Sequence, residues 1–421
     1  MQVDLAYGRQ GLSVRVPDDA VVLLPKDVPG LADEAEALGA ALRAPIGSAP
    51  LGERVRGEDQ VVIVFSDITR PMPNRRVLPV LLAELAHVPR EQITLLNALG
   101  THRPNTPQEL EEMLGPEIVA GYTIAQHDCW DEDNLVDLGQ TSFGHPIHVN
   151  RQYYEASFKI LTGFIEPHFF AGFSGGPKAV MPGVAGFPSI MDNHGYKMLS
   201  NPNATWGRTT GNPLWEEIRE VAALTEPDFL LNVTLNRQRQ ITGIYVGDVW
   251  QAHAQGVAFA RDTAMVAVDA PFDIVLTTNS GYPLDINLYQ AVKGMACAAQ
   301  IVKPGGAIVI AAECREGIPD HGDYRHIVHE AGSVEALLRT IGQPGYRRHD
   351  QWEAMMQARI QQKAEVHIYA DGLSDAETRG MLLEPCHDIE ATLAMLCARY
   401  GPEARLCVLP EGPQTIPYLM G

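Results

Sequence analysis

Read as apolar and polar positions, the chain alternates short apolar runs with helical stretches, the pattern of an α/β protein. Val61 to Phe65 is unbroken apolar sequence, which predicts a strand buried on both faces. A helix is expected from about Asn74 to Ala86, and a second strand over Ile93 to Leu96. The loop beyond it runs to Asn105, where Thr106 suits the N-cap of a helix containing Leu110 and Met113. Phe158 to Thr162 predicts a third strand, followed by a long loop with Gly172, Gly175, Gly176, Gly183 and Gly186. Phe229 to Val246 reads as two strands around a polar turn at Asn236 to Gln240, and a helix from Val249 to Arg261 leads to Pro271.

A fresh strand-helix-strand unit starts there. Asp273 to Thr277 is its strand, Leu288 to Ile301 its helix, stopped at Pro304-Gly305-Gly306, and Ala307 to Ala311 the next strand. Strands near Val366 to Tyr369 and Arg405 to Leu409 complete it. The expected architecture is α/β with two domains, each a largely parallel sheet flanked by helices, and an active site between them. Residues 1–265 form the first domain and 266–410 the second, while 411–421 is a tail expected to return to the first.

Length agrees, since 421 residues exceed one ordinary core. Charge changes the picture more. A formal net charge of -20 repels phosphate backbones and anionic lipids, so neither nucleic acid nor membrane is an expected partner. No apolar stretch approaches the roughly 20 residues of a membrane span. The first residues show no basic region followed by an apolar run, so no secretory signal is expected. Cys129, Cys297, Cys314, Cys386, Cys397 and Cys407 form no CxxC pair and read as free thiols of a reducing compartment, the cytoplasm.

In open α/β sheets ligands bind beyond the carboxyl ends of the strands. Four segments in such positions are rich in reactive groups: SDITRP (Ser66 to Pro71), GTHRPN (Gly100 to Asn105), EPHFFAGFSGGPK (Glu166 to Lys178) with MDNHG around His194, and YQAVKG (Tyr289 to Gly294). Each residue alone has a plain explanation. Asp67 caps a turn, Arg70 makes a surface ion pair, His102 and His168 bond backbone, Lys178 is solvated, His194 is a satisfied surface histidine in an Asp-Asn-His-Gly turn, and Lys293 is an exposed lysine. Joint occurrence along the sheet edges favours a site. Elsewhere, His145 and His148 are separated by Pro146, which speaks against a two-ligand helix face, and His321, His326 and His329 lack a matching carboxylate pattern.

Two phosphate motifs are excluded. Pro177 separates Gly176 from Lys178 and Ala179 replaces the hydroxyl that holds magnesium, so Gly172 to Lys178 is not a P-loop. No G-x-G-x-x-G follows a strand. Successive amides around Gly175 and Gly176 are still expected to cradle a phosphate.

In this order and spacing, the five motifs resemble the nickel-dependent lactate racemases, a likeness that spans most of the chain. The resemblance implies a racemase or epimerase of 2-hydroxy acids. It also implies a nickel-pincer nucleotide (pyridinium-3,5-bisthiocarboxylic acid mononucleotide) joined to Lys178 as a thioamide. His194 then corresponds to the protein ligand of the nickel, and His102 and His168 to the paired acid/base groups. Arg70 and Lys293 correspond to residues that hold the substrate, with Asp67 and Gln290 as further polar groups of the site. Proteins that build the cofactor and insert nickel are implied partners.

The chemistry is coherent with such a set. Taking the Cα hydrogen as a proton next to a carboxylate is hard, whereas taking it as hydride leaves a 2-oxo acid. With the carboxylate fixed and Cα–H aimed at one acceptor, the two enantiomers place their hydroxyls on opposite sides, so two bases are needed. Arg70 suits a carboxylate through its bidentate fork. A square-planar nickel completed by one imidazole explains a lone His194. Three other readings compete: a metallohydrolase built from His102, His168, His194 and Asp67, a soluble nicotinamide-dependent dehydrogenase, and a non-catalytic nickel-nucleotide binder.

Overall fold

The apolar run at Val61 becomes an inner strand of one sheet, with strands on both of its edges and its residues buried on both faces. A computed structural model describes residues 1–320 and 322–420. The chain forms two compact units. One comprises Asp27–His194 and Asn201–Thr263 and is called the N-terminal unit. The other comprises Met1–Lys26, Gly195–Ser200 and Ala264–Gly421 and is called the C-terminal unit.

In the N-terminal unit the strands are β1 (Val61–Ser66), β2 (Ile93–Ala98), β3 (Thr123–Gln126), β4 (Phe158–Phe164), β5 (Phe229–Leu235) and β6 (Ile241–Gly247). They lie in the order β6-β5-β4-β1-β2-β3. All neighbours are parallel except the β5–β6 hairpin. The helices used below are α1 (Asn74–Glu84), α2 (Pro107–Leu114), α3 (Phe187–Asn193), α4 (Pro213–Leu224) and α5 (Val249–Ala264). Thr106 caps α2 in a reciprocal box with Glu109, as its sequence position predicts. Val61, Ile63 and Phe65 of β1 join Val77, Leu78 and Leu81 of α1 in a core that also takes in Ile160, Phe229 and Leu231.

From β1 the chain builds outward through β2 and β3, then returns to place β4 on the other side of β1. The strand order therefore reverses between β1 and β4, and their carboxyl ends mark the crevice where such sheets bind ligands.

The C-terminal unit repeats the plan with β7 (Phe272–Thr278), β8 (Val302–Ala311), β9 (Ala364–Tyr369), β10 (Glu384–Pro385) and β11 (Leu406–Leu409). Their order is β10-β9-β8-β7-β11, with Val21–Val22 parallel at the outer edge of β11. The reversal here falls between β7 and β11, and α6 (Leu288–Ala298) leaves the end of β7.

Three expectations are corrected. The first 26 residues belong to the C-terminal unit, because the alternating hairpin Gln2–Leu5 and Leu12–Arg15 buries Val3, Leu5 and Val14 against Ile274 and Leu276. The tail does not return to the N-terminal unit. Ile416–Leu419 runs parallel to Met265–Val268, and the Cys297 thiol bonds the Thr415 carbonyl at 3.1 Å, both within the C-terminal unit. Pro304-Gly305-Gly306 does not stop the helix, which ends at Ala298, but lies inside β8. Phe272 pairs with Val302 while Ile274 pairs with Ala307, so the extra residues bulge from the ladder, where proline and glycine are tolerated.

No helix among the described residues is long and apolar enough to cross a membrane. All six cysteines are free.

Candidate active site

The loops after β1, β2 and β4 carry the site of the N-terminal unit. Just beyond β1, Asp67 is buried, and its carboxylate accepts from Thr69 Oγ1 at 2.8 Å and meets His102 Nδ1 at 2.7 Å. Burial pushes the Asp67 carboxyl up, but the His102 bond and the charges of His102 and Arg70 outweigh it, so the pKa lies below the usual range. Asp67 is therefore the anion, and His102 carries its proton on Nδ1. Arg70, one turn on, is exposed.

His168 sits in a two-residue strand that pairs with Gly172–Phe173, with Phe169 and Phe170 in the turn. Its Nδ1 accepts from the amides of Ala171 at 3.3 Å and Phe170 at 3.5 Å, which leaves the proton of the neutral ring on Nε2. The two histidines are thus held in opposite tautomers.

Phe170, inside a motif but not singled out by sequence reasoning, links three of the expected residues. Its ring meets His168 edge-on at 4.5 Å and His194 edge-on at 5.1 Å, and Lys178 Nζ lies 5.8 Å from its centroid. His194 caps the C-terminus of α3 and is buried. Burial first, and the Lys178 charge second, push its pKa down to about 3, so it is a neutral imidazole at physiological pH. Lys178 lies in a single 3₁₀ turn, Gly176–Ala179. Its amine makes no hydrogen bond or ion pair among the described residues, and burial together with the Arg70 charge pushes its pKa down to about 7.

In the C-terminal unit, Gln290 and Lys293 share one face of α6. Lys293 Nζ donates to Gln290 Oε1 at 2.7 Å, and Asn287 caps the helix through the Gln290 amide at 3.1 Å.

The expected phosphate cradle at Gly175 and Gly176 needs correction. The Gly176 amide is already given to Asn232 Oδ1 at 2.8 Å. A Cβ at Gly175 or Gly176 would lie 2.5 Å from Asn232 or His253, so both positions require glycine, and the correction concerns the Gly176 amide alone. The metallohydrolase reading is also corrected. Among the described residues no group of three His, Cys, Asp or Glu is placed to hold a metal. His321 lies outside the described residues.

Residues 7–207 match the model of the lactate racemase N-terminal domain, and residues 267–416 that of the lactate racemase C-terminal domain. The chain belongs to the lactate racemase family. As a member it is an isomerase. It is 35% identical over 417 residues to the lactate racemase of Lactiplantibacillus plantarum, covering 97% of this chain and 98% of that one. To the lactate racemase of Thermoanaerobacterium thermosaccharolyticum it is 33% identical over 421 residues, with 98% of each chain covered. The solved apoprotein of the latter superposes with a TM-score of 0.92 over 99% of this chain and 100% of that one, at 32% identity. A protein from Thermotoga maritima shares the fold at a TM-score of 0.70 and 20% identity, covering 94% and 100% of the two chains.

Proposed function

We propose that this protein racemises a 2-hydroxy acid, lactate first among the candidates, with His102 and His168 as the paired acid/base groups. The observation that carries the reading is the bond of the buried Asp67 carboxylate to the half-exposed His102, in one unit with a Lys178 amine whose pKa is pushed down to about 7.

The residues present fit a nickel-pincer nucleotide. Lys178 offers an amine largely neutral just above neutral pH, which a thioamide bond requires. His194 offers a neutral imidazole, the form that ligates metals, and one such ligand suffices when the cofactor supplies the rest. When bound, such a nucleotide would supply the reversible hydride-accepting chemistry that racemisation at Cα needs.

The chain's own residues manage charge and protons. Arg70 binds the substrate carboxylate through its fork. Lys293, held by Gln290 in the C-terminal unit, has the substrate-holding role that the family likeness implies. With Nδ1–H given to Asp67, His102 has Nε2 free to take the hydroxyl proton of one enantiomer, and Asp67 stabilises the imidazolium that forms. His168 serves the other enantiomer; to take a proton at Nε2 its ring must carry its own proton on Nδ1 and release the Phe170 and Ala171 amides. Each direction therefore needs one ring neutral and its partner charged. The six thiols fit a reducing cytoplasm, and cofactor-building and nickel-inserting proteins are the partners such a cofactor requires.

The test is the denatured intact mass after co-expression with cofactor-building proteins and added nickel, beside Lys178→Ala, followed by chiral assay of lactate. The expected result is an adduct on the parent alone and interconversion of both enantiomers. An unmodified parent, alongside a control racemase that loads normally, would overturn the reading.

A further inference from the structure

Lys178 stands two residues beyond a glycine pair whose conformation is imposed from outside the loop. Gly175 (φ 73°) and Gly176 (φ 52°) are both left-handed. A Gly-Gly sequence selects no such state by itself, because glycine visits both signs of φ freely. Two buried polar side chains from other elements select it. Asn232 interrupts the apolar strand β5, accepts the Gly176 amide on Oδ1 at 2.8 Å, and gives its Nδ2 to the Leu231 carbonyl at 3.0 Å. His253 of α5 bonds the Ser174 carbonyl through Nε2 at 2.9 Å, with its ring stacked on Trp215 at 5.3 Å and 20°. Burial pushes the His253 pKa down to about 4, so the ring is neutral and Nε2 is the donor.

These two bonds take the carbonyl before Gly175 and the amide after it. The packing leaves no slack, since an added Cβ would lie 2.5 Å from Asn232 Oδ1 at Gly175 and 2.5 Å from His253 Cδ2 at Gly176. The 3₁₀ turn that presents Lys178 starts at Gly176, and the Lys178 amide closes on the Gly175 carbonyl at 3.1 Å.

We propose that Asn232 and His253 are positioning residues for Lys178, gripping the two peptide groups around Gly175 and so setting where the lysine amine points. The proposal rests on the reading of Lys178 as the cofactor anchor. Neither side chain touches the reacting atoms. They act through the loop, and a loosened grip lets the amine leave the buried setting that holds it neutral, so that it regains its proton and its nucleophilicity falls.

The experiment uses the full-length apoprotein, so it is independent of cofactor supply. Parent, Asn232→Leu, His253→Phe and His253→Gln are treated briefly with an N-hydroxysuccinimide acetate ester. Acetylation at Lys178 is read by peptide mass against the exposed Lys26 and Lys197. His253→Phe keeps the ring and loses the donor, whereas His253→Gln keeps the donor and loses the ring. Lys178 labelling is expected to fall about tenfold in Asn232→Leu and His253→Phe and to return to near the parent level in His253→Gln. Parent-level labelling in the Leu and Phe variants overturns the proposal. If those two fail to melt cooperatively, His253→Gln decides, and a folded Gln variant with lost labelling also overturns it. A parent that shows this labelling pattern yet never acquires a cofactor mass defeats the functional reading instead and leaves the grip on Lys178 standing.

Discussion

Asp67 shows how much a single buried carboxylate organises. It accepts from Thr69, fixes the His102 tautomer, and feels the Arg70 charge, all within the N-terminal unit. His102→Ala and His168→Ala are each expected to lower racemisation about 10²–10⁴-fold in both directions while the intact mass still shows attached cofactor. Asp67→Asn is expected to lower kcat about 10²-fold with little change in KM, because it disturbs the tautomer rather than substrate binding. Near-parental rates in either histidine variant would remove the two-base mechanism.

Lys178 gives a pH dependence whose sign is fixed. Its pKa is pushed down to about 7, and in the proposed role as cofactor anchor only the neutral amine is a nucleophile. Attachment to the apoprotein is therefore expected to be half-maximal near pH 7, to slow about tenfold per unit below it, and to level off above. Arg70→Gln removes one of the two causes of the depression, so the half-point is expected to move upward. Mass spectrometry of attachment time courses at several pH values reads both effects.

Among the elements, the sequence disclosed those whose apolar pattern is local. The run at β1, the Thr106 cap of α2, and the β5–β6 pair about Asn236 all form where their residues predict. Elements decided by their neighbours were less legible, such as the bulge around Pro304, which exists only because β7 lies alongside. Helix α6 depends on a glycine for the same reason. A Cβ at Gly294 would lie 2.2 Å from the Thr278 carbonyl, so the helix can approach the end of β7 only without one. Gly294→Ala is expected to destabilise the protein by about 1–3 kcal/mol. It is also expected to raise KM, since Lys293 is the adjacent residue on that helix. An unchanged denaturation midpoint would mean that α6 shifts without cost.

At the scale of the whole molecule, charge matters more than any one contact. The net charge is -20, yet the proposed substrate is an anion. Raising ionic strength from about 10 mM to 150 mM shortens the screening length from about 30 Å to 8 Å. Repulsion from distant acidic groups is then damped, while contact with Arg70 survives. A modest rise in kcat/KM over that range is expected. A steep fall would mean that the cations near the site dominate long-range encounter.

What the sequence determined by itself was the α/β class, the strands buried on both faces, and the candidates Asp67, Arg70, His102, His168, Lys178, His194, Gln290 and Lys293, because periodicity and motif spacing are written along the chain. Tertiary structure alone decided which unit owns the first 26 residues and the tail, since a short strand gains its burial only from the sheet it joins. It also decided that Phe170 meets His168 and His194, that the Gly176 amide belongs to Asn232, and that Asn232 and His253 grip the lysine loop. Those contacts join residues tens of positions apart, and no local pattern encodes a hydrogen bond whose two ends meet only after the sheet has formed.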